Sequence, residues 1–174
     1  MKTRKISETK FNVTLTAMML IGIFFLTNAT TFAQAGKANF AGTWAFNEAK
    51  STPAEGGFRM GASLMVVTQD ANNLSFESTR KNRDGEDVKS TVKFTLDGKE
   101  SVNPAGFGGS TRKSVVTWSA DGKTLNFAHT MTFQDNEMKS TESWKLNDDK
   151  TLAVTTVMNF QGEERKTTNI YDKK

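Results

Sequence analysis

The chain has 174 residues, a formal net charge of +4, one histidine and no cysteine. Lacking cysteine, it has no disulfide, no thiolate metal site, no cysteine nucleophile and no residue for lipoprotein attachment. Lys2, Arg4, Lys5 and Lys10, set against Glu8 alone, account for most of the excess charge; the rest carries 19 basic and 18 acidic residues, so no nucleic-acid-binding surface is implied.

Residues 1–33 read as a signal peptide. The four basic residues form a positive n-region, Ala17 to Leu26 is continuously apolar, and Thr31-Phe32-Ala33 offers small residues at the two positions a signal peptidase reads. A membrane-spanning helix needs about 20 apolar residues. This run is much shorter and is followed at once by Thr27, Asn28, Thr30 and Thr31. Cleavage after Ala33 is expected, leaving Gln34 at the N-terminus of a secreted or periplasmic protein of a bacterial cell envelope, with no stable membrane insertion.

Residues 34–174 read as a single domain. Short segments of period-two alternation recur along it, separated by Asp, Asn and Gly clusters, and no helical pattern of useful length appears. The expected strands are 39–46, 62–69, 74–80, 88–96, 99–102, 111–119, 124–133, 138–146, 151–160 and 163–171. Asp84-Gly85, Asp97-Gly98, Asp121-Gly122 and Gln161-Gly162 fall between strands, where a tight hairpin needs positive φ. Sequential hairpins that close on themselves make an all-β, up-and-down antiparallel barrel of about 8 to 10 strands, wide enough for side chains or one small ligand.

The turns also fix which residues face one another. Asp121-Gly122 pairs Trp118 with Leu125, Val116 with Phe127 and Ser114 with His129. A turn over Gln134–Glu137 pairs Phe133 with Met138, and hence His129 with Glu142. A loop at Asp148-Asp149-Lys150 pairs Leu146 with Leu152 and Glu142 with Thr156, and Gln161-Gly162 pairs Thr156 with Thr167. Ser114, His129, Glu142, Thr156 and Thr167 thus form a polar belt on one inward face. Unpaired polar groups in a dry core would each cost a few kcal/mol, so the belt points to a partly wet lumen.

Near the start of the domain, Phe40-Ala41-Gly42-Thr43-Trp44-Ala45-Phe46-Asn47-Glu48-Ala49-Lys50-Ser51 resembles the opening of small secreted bacterial lipocalin-like proteins, and Gly42-x-Trp44 resembles the first-strand signature of the lipocalin and calycin superfamily. The C-terminal helix and the disulfide of classical lipocalins are missing. The resemblance implies a barrel whose lumen holds a small, largely apolar ligand. It also implies an arginine crossing the base tryptophan, with Arg165 and then Arg112 as candidates.

Three readings of His129 stand side by side: a polar lumen residue bonded to Glu142, a proximal haem ligand, or half of a general acid/base pair in which the carboxylate raises the imidazole pKa. No nucleophile or oxyanion motif accompanies the pair, and no enzyme activity is inferred. Met131 and Met158, with Met60, Met65 and Met138, read as core and lumen filling rather than a soft-metal site. The glycine-rich stretch Asn103–Ser110 lacks the Lys-Ser/Thr ending of a phosphate loop and reads as a mobile loop at the barrel mouth. The sequence implies no cofactor and no metal. It favours a carrier or sensor of a small apolar or amphipathic molecule; the alternative is a structural or interaction module with a filled barrel, acting through loops 51–62 and 103–110.

Overall fold

Ten strands alternate with short turns, and their order in the sheet explains how the chain closes. A computed structural model describes residues 36–52, 61–82, 84–105, 110–133, 136–160 and 163–174. The expected signal peptide, residues 1–33, and residues 53–60 and 106–109 of the two expected loops lie outside the described residues. The strands are β1 (Gly42–Asn47), β2 (Leu64–Gln69), β3 (Asn73–Lys81), β4 (Asp87–Thr95), β5 (Glu100–Pro104), β6 (Thr111–Trp118), β7 (Thr124–Phe133), β8 (Asn136–Asp148), β9 (Thr151–Phe160) and β10 (Glu163–Lys173). Among the described residues the one helical element is a single 3-10 turn, Glu48–Lys50. Asn103 and Pro104, expected in a mouth loop, belong instead to β5.

Every sequential pair is joined by an antiparallel ladder except β4 and β5, and β1 pairs with β10 to bring the two ends of the meander together. The result is a nearly closed up-and-down barrel, the lipocalin-like fold class expected. The seam between β4 and β5 is bridged by side chains. Asn103 Oδ1 accepts from Lys93 N and Asn103 Nδ2 donates to Lys93 O, both at 2.8 Å, and Ser101 Oγ accepts from Thr95 N at 3.0 Å. The Asn103 amide takes the place of a missing peptide unit, so the seam leaves few open edge groups.

The hairpins form where turn chemistry demands them. Gly122 has φ +68°, and Ser119 O accepts from its N–H at 2.9 Å while Asp121 Oδ1 accepts from Lys123 N. Three of the four derived registers are observed: Ser114 opposite His129, Glu142 opposite Thr156, and Thr156 opposite Thr167. The fourth differs. Pairing of β7 with β8 runs to Phe133–Asn136, so His129 faces Ser140 and Glu142 faces Phe127. The slip is two residues, which keeps every side chain on its expected face.

The inward faces fill one half of the barrel with large apolar groups. Phe40, Trp44, Leu74, Val116, Leu125, Phe127, Trp144 and Leu152 are all essentially inaccessible. Phe40 stacks on Trp118 at 6.1 Å and meets the edge of Trp144 at 5.9 Å; Phe94 meets Phe127 at 5.2 Å. Such aromatic pairs add about 0.5–1.5 kcal/mol each beyond area burial. Trp44 plugs this end and donates from Nε1 to Phe40 O at 2.8 Å. The cation over its ring is Lys173 Nζ at 5.4 Å, not an arginine. Lys173 is the cross-strand partner of Trp44, whereas Arg165 pairs with Met158 at the opposite end of β10, beyond reach of the base.

Candidate functional site

On β7, Leu125 and Phe127 join the apolar plug, and the next two inward residues, His129 and Met131, turn toward the other end. Strand β3 repeats the order, with Leu74 and Phe76 followed by Ser78 and Arg80. Because the same switch occurs on strands in both halves of the sheet, the second half of the barrel is not filled. It encloses a cavity of about 350 Å³.

Of the residues expected at the lumen, Arg112, His129, Met131, Glu142, Thr156 and Met158 line this cavity. Ser114 stands behind it, fully buried, with its Oγ 2.8 Å from His129 Nδ1. Thr167 faces Thr156 across the ladder without lining the cavity, and Arg165 is exposed, with its guanidinium 4.0 Å from Glu163. The sequence reading missed Arg80, Ser140, Asn169 and Tyr171 on the polar wall and Phe76 on the apolar one, where Met65 and Met138, read as core or lumen filling, also stand. The signal for Arg80 was present: it shares the parity of Leu74 and Phe76 on a strand whose turn was correctly placed.

The contacts overturn the expected His129–Glu142 bond. His129 is bonded to Ser114, and Glu142 accepts from Trp144 Nε1 at 2.7 Å and from Thr156 Oγ1 at 3.4 Å. The two-residue slip moves the pair to diagonal positions, and each finds a nearer partner. The expected rise in the imidazole pKa is likewise reversed. Burial pushes His129 down to about 3, and the positive charge of Arg112 adds to the effect. His129 is therefore neutral at physiological pH, with Ser114 and not Glu142 as its bonded partner.

Two donors at the cavity are left over. His129 Nε2 and Arg112 Nε are buried with no hydrogen-bond partner, as is Trp118 Nε1 elsewhere. Burial also pulls the Arg112 guanidinium below its ordinary pKa; Glu142 opposes that shift and Arg80 adds to it, so the three charges feel one another. Burial raises Tyr171 well above the usual phenol range, so it stays protonated. Among the described residues, no three His, Asp or Glu side chains converge as a metal site.

No protein-family model matches the chain, and neither does any curated protein. Solved structures resembling it include zebrafish ileal bile acid-binding protein complexed with cholic acid, at 15% identity and a TM-score of 0.49, covering 78% of this chain and 98% of that one. Another is a redesigned β-barrel, at 14% identity and a TM-score of 0.44, covering 84% and 99%. The barrel stands on its own strand ladders, and neither likeness speaks to what this chain binds.

Proposed function

We propose that the protein is an exported binding protein that holds one small amphipathic molecule in the open half of its barrel. The observation that carries this reading is the division of the lumen. One half is packed with aromatic and aliphatic side chains, while the other keeps a cavity of about 350 Å³ bordered by thioethers, an aromatic ring and several polar groups. Ligand pockets share this build: a mostly apolar wall with a few fixed polar groups, at volumes of about 300–1,000 Å³.

Export is supported by the charged, apolar and small-residue regions of residues 1–33. It places the protein in the periplasm or the medium. Native mass spectrometry of the protein purified from its source tests both parts. The expected spectrum starts at Gln34 and carries one additional small mass that is lost on unfolding. A chain retaining residues 1–33 overturns the export reading. An unliganded chain that also takes up none of a panel of small amphiphiles overturns the binding reading.

A further inference from the structure

We propose that the cavity selects a small monoanionic amphiphile, with its charged head held by Arg112 and Arg80 and its tail against the methionine wall. This inference rests on the lumen-binding reading and specifies its ligand.

The first argument is charge. Arg80 and Arg112 both line the cavity, and neither makes an ion pair or hydrogen bond with any described residue. The third cation at the rim, Lys139, is bound to Glu137 at 2.8 Å. Against the two arginines stands, among the described lining residues, one carboxylate, Glu142, whose oxygens already accept from Trp144 and Thr156. The site therefore holds one positive charge in excess, and Arg112 is sheltered enough for that charge to want a counter-ion. A guanidinium suits an oxyanion, because its planar fork offers parallel N–H donors. A cationic ligand would face two arginines, and a neutral one would leave them uncompensated.

The second argument is size and texture. At about 350 Å³ the cavity lies at the small end of the range for ligand pockets, and Met65, Met131, Met138 and Met158 offer a flexible wall that adapts to a short alkyl chain or small ring.

Isothermal titration calorimetry of the purified protein with matched ten-carbon probes tests the proposal. Decanoate is expected to bind at least tenfold more tightly than decanol and protonated decylamine, and hexadecanoate more weakly than decanoate. Arg112→Gln should weaken decanoate at least tenfold while leaving decanol within about twofold. Arg80→Gln, at an exposed position where folding is not at risk, should act in the same direction. Near-UV circular dichroism of each variant reports whether the core is intact, and if Arg112→Gln is unfolded the Arg80→Gln result decides. Equal binding of decanoate, decanol and decylamine overturns anion selection but leaves the lumen reading standing. Tighter binding of hexadecanoate overturns the size limit. Failure of every probe overturns both the inference and the reading beneath it.

Discussion

Replacing Asn103 by alanine should open the barrel at its seam. The side chain is 6% exposed and makes two 2.8 Å bonds to the Lys93 peptide, one as acceptor and one as donor. Each neutral hydrogen bond contributes about 1 kcal/mol net, and a buried group left without a partner costs about 1–3 kcal/mol. Water can reach a seam at the barrel wall and recover part of this, so the expected loss is about 2–4 kcal/mol. The Thr95–Ser101 bond should survive and keep the strands in register. Asn103→Asp sharpens the test. It keeps an acceptor for Lys93 N but sets a second acceptor against Lys93 O, so at neutral pH it should destabilise at least as much as alanine, and it should recover as the carboxyl protonates. Urea unfolding with a constant m-value measures the loss, and amide exchange at Lys93 locates it. A loss under about 0.5 kcal/mol, with exchange at Lys93 unchanged, would refute the role given to this residue.

His129 should make the fold sensitive to acid. Its folded-state pKa of about 3 lies below the unfolded value of about 6.5, so the unfolded chain binds the proton first. The stability it confers is full above about pH 6.5 and falls by about 1.4 kcal/mol per unit as pH drops toward 3. The difference in unfolding free energy between pH 7 and pH 4.5 should shrink by about 2–3 kcal/mol in His129→Gln; an unchanged pH profile would contradict the assignment. Gly122→Ala should cost about 1–3 kcal/mol, since the position has φ +68° and a Cβ there would lie 3.0 Å from Gly36 O. The thermal midpoint reads this directly, and a shift below one degree would mean the 36–38 segment moves aside at little cost.

The sequence carried most of the fold because its turn chemistry is explicit. Glycines at positive φ mark where several chain reversals fall, and alternation then assigns faces. The β7–β8 connection was the weak point for a physical reason. Gln134-Asp135-Asn136-Glu137 holds no glycine, so a loop of two residues and one of four are equally compatible with it. They differ by an even number of positions, and the hydrophobic pattern cannot tell them apart. The inward set of β8 was therefore right while its partners on β7 were wrong, and the His129–Glu142 bond was lost with them. Arg80 was missed differently: it is the last residue of the expected strand 74–80, and it was not taken as a lumen residue although its parity places it inside. The cation over Trp44 was misplaced because the resemblance implied an arginine, while the ladder puts Lys173 opposite that tryptophan.

The seam between β4 and β5 lies in the middle of the chain, while the two ends of the domain are stitched together, with Lys174 N donating to Thr43 O at 2.9 Å. A circularly permuted chain that joins those ends and opens in the turn after β4 would read along the sheet from one edge to the other, from β5 through β10 and β1 to β4. Every ladder would then join strands adjacent in sequence. The long-range closure of β1 on β10, which the natural chain completes only after all ten strands are made, would become an ordinary hairpin. Since folding slows as contacting residues move apart in sequence, the permuted barrel should fold faster than the natural one while keeping every strand ladder.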